Sequence, residues 1–131
     1  MSASSDRPRD RLGRPLAVGD PRAFPEVSAR DHITSMDAWN QAQLYLEQGL
    51  PFHAHEVFEQ RWKSCPPDER DAWQALAQWG AALTQQARGN EIGQRRIASR
   101  ALDRLTRAQA QNAVPSVIAV DQVLESLTQL A

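Results

Sequence analysis

The residues best suited to chemistry in this sequence are His55 and Glu59, which begin and end the string His-Glu-Val-Phe-Glu. A spacing of four places both side chains on one face of a helix, where Phe52, Phe58 and Trp62 share an arc of roughly 120°. A carboxylate among aromatic rings is costly unless it has a partner. We therefore expect Glu59 to meet an arginine, to share a proton or hydrogen bond with His55, or to bind a cation.

The same spacing allows two side chains of one helix to hold one metal ion. The zinc enzymes that use such a pair have histidine at both ends, whereas here the second position is Glu59. A mononuclear site would need further ligands from another helix. His53 falls outside the predicted inward arc and His32 precedes the first helix, so we count neither as a ligand. Two interpretations of His55 and Glu59 stay open, a structural hydrogen-bond network and a divalent metal site.

Helices must position these residues, and the apolar spacing together with helix-end residues predicts five. They cover residues 35–48, 51–65, 67–88, 90 to about 107, and about 120–130. No alternating β-branched run of useful length is present. We predict an all-α fold, a compact bundle of four to five helices that forms a single domain over residues 33–131. The Arg/Pro-rich residues 1–32 are expected to form a flexible arm, disordered or extended, that could still lie along the domain surface.

The third helix is expected to be the central one, because its apolar residues cover more than half of its circumference. One polar flank remains on this helix, formed by Arg70, Gln74, Gln78, Gln85 and Arg88. This flank is either a solvated face or part of a buried network in which Arg70 or Arg88 reaches Glu59. In the second case His55, Glu59, Gln78 and Gln85 would line one pocket. As metal ligands, the two glutamines would be poor.

Composition limits the classes of function. The 131 residues are 41% hydrophobic with a formal net charge of −1, which predicts one soluble domain plus a tail and no general attraction to nucleic acid or anionic membrane. Cys65 is the only cysteine, so neither an intrachain disulfide nor a thiolate zinc site from one chain can form. We expect a cytoplasmic setting, because neither a secretory signal near Met1 nor a bilayer-spanning stretch is recognisable.

Two surface features of the predicted helices suggest partners. Five arginines form a basic strip on the fourth helix, namely Arg95, Arg96, Arg100, Arg104 and Arg107. Because no aromatic residues alternate with them, we expect a solvated face and consider a nucleic-acid partner unlikely. Trp79, at the edge of the apolar arc of the third helix, is the best indication of a partner surface or of a homo-oligomer.

Three stretches of the sequence carry a resemblance to a known family: residues 52–59 followed by Trp62, Trp73 with Leu76 and Gln78, and Arg88-Gly89-Asn90 with Gly93. Together they resemble the bacterial, archaeal and plant family called domain of unknown function 309, and the resemblance covers roughly residues 36–107. It implies a small helical bundle in which His55, Glu56, Glu59 and Trp62 face Gln78 and the Arg88-Gly89-Asn90 turn. It implies no activity. Gln85 departs from the family pattern, where histidine is frequent, and this removes the most credible third metal ligand.

Our first interpretation is a non-enzymatic helical module that binds a protein partner or a small ligand beside a buried polar network. In it Glu59 is paired with an arginine and His55 fixes the hairpin of the second and third helices. The alternative is a metal-dependent or acid/base enzyme, hydrolase-like, that uses His55 and Glu59. The first interpretation needs no cofactor, and the second would use a divalent metal or acid/base chemistry alone.

Overall fold

The computed structural model describes residues 7–131, and this part of the chain is all-α, as predicted. Its helices are α1 (Ser35–Glu47), α2 (Pro51–Ser64), α3 (Arg70–Ala87), α4 (Glu91–Ala110) and α5 (Val120–Leu130), with one 3₁₀ turn at Pro67–Glu69. None of these helices is long and apolar enough to cross a membrane. Residues 1–6, part of the predicted arm, lie outside the described residues.

The helix ends follow from the residues that stand there. Thr34 accepts a hydrogen bond from the Asp37 amide and Asn90 accepts one from the Gly93 amide, so each satisfies a free donor in a first helical turn. Pro51 occupies the first turn of α2, where its missing N–H costs nothing. The predicted start of the third helix at Pro67 is a 3₁₀ turn instead, and regular α-helix begins at Arg70.

The central position predicted for α3 is confirmed, because this helix packs against α2, α4 and α5. Trp73 and Leu76 are fully buried in its core face. Trp79 is only 8% exposed, and its indole N–H donates to the Ser126 hydroxyl on α5 at 2.9 Å. The predicted partner surface at Trp79 was therefore wrong, because α5 of the same chain covers this ring.

The inward face predicted for α2 was also wrong. Of the five residues assigned to it, only Phe58 is buried. The residues of α2 that are buried are Pro51, His53, Ala54, Val57, Phe58 and Arg61. Ala54, Val57, Phe58 and Arg61 have the i, i+3, i+4, i+7 spacing of a core stripe. The aromatic residues misled the prediction, since small Ala54 and Val57 face the core while Phe52 and Trp62 lie at its edges.

The arm buries the remaining side of α2. Residues 7–34, which we call the arm from here on, contain no helix and run across the bundle, and Leu16 and Ile33 are buried there. Within this arm, Asp10 accepts hydrogen bonds from the Leu12 and Arg14 amides and closes a tight turn. Gly13 of that turn has a φ of +78°, and a Cβ at this position would overlap the Phe52 ring. A glycine thus lets the turn pack directly on α2.

Domain side chains hold the arm mainly by its backbone. The carbonyl oxygens that accept from them belong to Leu12 (from Arg88), Pro25 (from His53), Ser28 (from Gln60) and Ile33 (from Arg61). A carbonyl is present in every residue, so this recognition depends little on which side chains the arm carries.

The most buried ion pair is formed by Arg61, which is 7% exposed, and Glu69 in the 3₁₀ turn, at 3.1 Å. Arg61 also donates to the Ile33 carbonyl, and its guanidinium lies 5.6 Å from the centre of the Trp73 ring. The indole N–H of Trp73 donates to the same Glu69 oxygen at 2.9 Å. This network links the end of the arm, α2 and α3, and sequence reasoning missed it.

We predict that Arg61→Ala lowers the free energy of unfolding by about 3 kcal/mol, because it strands a partly buried carboxylate and a buried carbonyl. Arg95→Ala is the matched control, since its ion pair with Glu91 is exposed and contributes less than about 1 kcal/mol. Urea unfolding of both variants, followed by far-UV circular dichroism, measures the difference. Equal losses would contradict a structural role for the Arg61 network.

Candidate functional site

His55 lies where α2 and α3 approach most closely. A Cβ built on Gly80 would stand 2.8 Å from His55 Cα, so only glycine permits this spacing without a shift of backbone. At this distance His55 Nδ1 donates to the Ala77 carbonyl of α3 at 2.8 Å. This bond ties the two helices together, which is the hairpin role predicted for His55.

Glu59 does not meet an arginine, and that prediction was wrong. Its carboxylate lies 3.4 Å from His55 Nε2 and 3.1 Å from Lys63 Nζ. Arg70 stacks over the Trp62 ring instead, at 5.7 Å, and Arg88 binds the arm. The partners of Glu59 come from its own helix because its side chain is about one-third exposed, at the edge of the α2–α3 contact.

The two nitrogens of His55 have different roles. A carbonyl oxygen only accepts, so the bond to Ala77 requires a proton on Nδ1. A neutral imidazole would then turn the lone pair of Nε2 toward the Glu59 carboxylate. A second proton, carried by Nε2 or by the carboxyl group, makes this contact attractive. At 3.4 Å the two groups are in ion-pair contact without a hydrogen bond.

A groove of about 440 Å³ lies beside this pair, between the arm and α2, and we call it the arm groove. Helix α2 contributes Phe52, His53, Glu56, Glu59, Gln60 and Lys63 to its lining. The arm contributes Arg9, Asp10, Phe24, Glu26, Val27, Ala29, Arg30 and Asp31. Of the four residues expected to share one pocket, Glu59 lines the arm groove, whereas His55, Gln78 and Gln85 lie outside its lining.

The charged groups of the arm groove differ in how far they are satisfied. All three basic side chains have partners, since Arg9 donates to the Gly13 carbonyl, Arg30 to the Gln60 side chain, and Lys63 to Glu59. Five carboxylates line the same space, namely Asp10, Glu26, Asp31, Glu56 and Glu59. Three of them, Glu26, Asp31 and Glu56, form no hydrogen bond or ion pair with residues 7–131. With five carboxylates against three basic side chains, the lining of the groove carries a net negative charge.

Glu56 is the half-buried member of these three. Burial raises the pKa of its carboxyl group above the ordinary 4.5, and the charge of Glu59 raises it further, against the attraction of His55, Arg9 and Lys63. A carboxylate that loses hydration without gaining a partner is destabilising when charged. Glu56 was predicted as a site residue only through the family resemblance, and the structure places it in the groove wall.

His53 was excluded as an outward-facing residue, and that prediction was wrong. It is 4% exposed, lines the arm groove, and contacts the Phe24 and Tyr45 rings at 5.2 and 5.3 Å between centroids. Its Nε2 donates to the Pro25 carbonyl at 2.6 Å. The other nitrogen, Nδ1, is buried without a hydrogen-bond partner in the described part of the chain. The sequence pattern gave no sign that His53 is buried, because the arm that covers it has no apolar periodicity.

The remaining predicted site residues lie elsewhere. Asn90 caps α4 and donates to the Gln85 side chain at 3.0 Å, and Arg88 donates twice to the Leu12 carbonyl. These three residues organise the α3–α4 turn and the arm. Gln78 has a buried Oε1 with no partner among residues 7–131.

A metal ion would find few ligands here. Over residues 7–131 no group of three or more His, Cys, Asp and Glu side chains is arranged to hold a metal ion. His55 and Glu59 would be its protein ligands.

On the basic strip of α4, Arg95 pairs with Glu91 and Arg104 with Asp71, while Arg96, Arg100 and Arg107 are exposed.

Comparison with known proteins gives a family match that contains His55 and Glu59. The sequence model of the family described as Domain of unknown function (DUF309) matches residues 39–97, which confirms the resemblance and contains α2, α3 and most of α1. Neither the curated proteins nor the solved structures that were searched include a match. The arm, which forms half of the groove wall, precedes the matched segment.

We predict that Glu56→Gln raises the thermal midpoint at neutral pH. Because the folded state raises the pKa of Glu56, that group favours folding only below its ordinary pKa and opposes it once it is charged. The gain should therefore shrink as the pH falls through the pKa of Glu56. Thermal melts between pH 4 and pH 8 measure it, with the exposed Glu125→Gln as control. A gain that is independent of pH, or a loss at neutral pH, would contradict this account.

Proposed function

Residues 39–97 belong to the DUF309 family, and on that premise we propose that the chain is a non-enzymatic module that binds a small ligand in the arm groove. The observation that carries the proposal is the groove itself, about 440 Å³ with walls of two origins. Its volume falls within the range of roughly 300–1,000 Å³ that is typical of small-ligand sites. One wall is α2 of the family domain, and the other is the arm.

The contacts between the two walls favour this proposal. Gln60 donates to the Ser28 carbonyl at 2.8 Å and accepts from Arg30 at 3.0 Å, so one side chain of α2 fixes the arm beside the groove. His53 holds Pro25 nearby. A cleft with fixed walls can bind a ligand without paying for the ordering of a loop.

The roles of His55 and Glu59 favour binding over catalysis. His55 uses Nδ1 to join α2 to α3, and Glu59 is occupied by His55 and Lys63. Both side chains already have protein partners in the resting protein. We extend the proposal to a cytoplasmic setting, in which the lone Cys65 stays reduced. A protein partner, in place of a small ligand, would have to contact the same groove.

We predict that Ala29→Trp abolishes ligand binding. Ala29 is exposed on the wall of the arm groove, and an indole at this position would fill part of its volume. Ala17→Trp is the matched control, because Ala17 is exposed in the arm away from the groove lining. The measurement is a ¹H–¹⁵N correlation spectrum of the full chain with 1,4-diaminobutane, 1,4-butanediol or succinate as probes.

The expected result is that at least one probe shifts the amides of Gln60 and Lys63 in the unmodified chain and in Ala17→Trp, but not in Ala29→Trp. If no probe shifts these amides, or if Ala29→Trp binds as well as the control, the arm groove is not the ligand site.

A second candidate is an acid/base or metal-dependent enzyme of the hydrolase type. The observation in its favour is that Glu56 and Glu59 line one groove in different environments, since the pKa of Glu56 is raised while Glu59 has two basic neighbours. Pairs of carboxylates with divergent environments often divide into a general acid and a base. His55 would join Glu59 in the metal-dependent form.

Elemental analysis of the untagged chain separates the two candidates. The binding proposal predicts less than one divalent metal ion per chain, and the same low content in His55→Ala and Glu59→Gln. Glu59→Gln guards against misfolding, because it leaves the bond between His55 and Ala77 intact. One metal ion per chain that is lost in both variants would contradict the binding proposal and support the enzyme.

A further inference from the structure

We propose that the ligand of the arm groove is a small organic cation with N–H donors, an ammonium or a guanidinium compound. This inference rests on the proposed function, whose site it shares. It is carried by the hydrogen-bonding groups that the groove leaves unused, by its charges and by its aromatic walls.

The unused carboxylates supply the first argument. Every basic side chain of the lining already has a protein partner, whereas Glu26, Asp31 and Glu56 have none within residues 7–131. An incoming cation can therefore pair with a carboxylate without displacing an existing ion pair. The lining carries five carboxylates against three basic side chains, so an anion would meet a net negative charge.

His53 is a second group in the groove wall that lacks a hydrogen-bond donor. Its Nε2 must carry a proton to donate to the Pro25 carbonyl, so neutral His53 has an acceptor lone pair at Nδ1. That nitrogen has no partner, although the side chain is 96% buried in the groove wall. A buried acceptor left open calls for a donor. Nδ1 is itself enclosed, so an N–H donor of a ligand reaches it only after the His53 ring or the arm beside it shifts.

The aromatic walls show the same preference within the protein itself. The guanidinium of Arg9 lies 5.5 Å from the centre of the Phe52 ring, and that of Arg11 lies 5.5 Å from the centre of the Phe24 ring. Both rings line the groove. Each already attracts a cation of the arm through the negative face of its π system.

The volume limits the size of the cation. About 440 Å³ accommodates a diamine or an amino-acid-sized guanidinium compound and excludes a folded partner. Probes of four carbons are therefore appropriate, and they can be matched in length while the end groups change. The four probes are 1,4-diaminobutane, neutral 1,4-butanediol, anionic succinate, and agmatine, which compares guanidinium with ammonium.

The test is calorimetric titration of the full chain with each probe, with the site mapped by ¹H–¹⁵N correlation spectra. We expect the diamine or agmatine to bind and to shift the amides of Gln60, Lys63 and Ala29. Glu56→Gln should weaken this binding about tenfold, which is typical of one charge-assisted hydrogen bond. Glu125→Gln removes the same charge from the exposed face of α5 and should change it less than twofold. Asp31→Asn provides a second groove variant.

The outcomes separate the two proposals. Binding of butanediol or succinate at the groove without binding of either cation would overturn the cation inference and leave the binding function standing. If no probe binds at the groove, both fail. Equal weakening by Glu56→Gln and Glu125→Gln would show only diffuse attraction to the chain and would also overturn the inference.

Discussion

The close approach of α2 and α3 at Gly80 is the constraint on which the rest of the structure depends. Because Gly80 has no side chain, the backbone of His55 lies against α3 and its imidazole reaches the Ala77 carbonyl. This contact fixes the rotation of α2 about its own axis. Once the rotation is fixed, Ala54 and Val57 face the core, and the side of α2 that carries His53 and Glu56 is turned toward the arm.

The arm covers the side of α2 that the other helices leave uncovered. Four domain side chains donate to its carbonyl groups, and a glycine turn at residue 13 packs on Phe52. Since these bonds are accepted by backbone carbonyl groups and not by side chains, an arm of different sequence but similar path could be held in the same way. The family match begins at residue 39, beyond this segment. One wall of the groove, α2, therefore lies within the family match, and the other wall, the arm, precedes it.

The sequence predicted the helices more accurately than it predicted which residues contact one another. Asn90 caps α4 through the amide of Gly93, so local pattern was enough to place the start of that helix, whereas the third helix begins at Arg70 and not at Pro67. The face of α2 depends on what packs on both of its sides, and the arm that covers one side has no periodicity. The predicted arginine partner of Glu59 failed for a related reason. Arg88 reached the arm instead, across 76 positions in the chain, a separation that no spacing rule describes.

Glu56 brings stability and function into conflict. Residues that serve only the fold pair their charges within the protein, as Arg61 and Glu69 do. Glu56 is half-buried without a partner, and its raised pKa is the electrostatic expression of that cost. Unpaired groups of this kind concentrate at binding and catalytic sites, where a ligand supplies what the protein withholds. In the arm groove, whose lining carries five carboxylates and three basic side chains, the missing complement is positive.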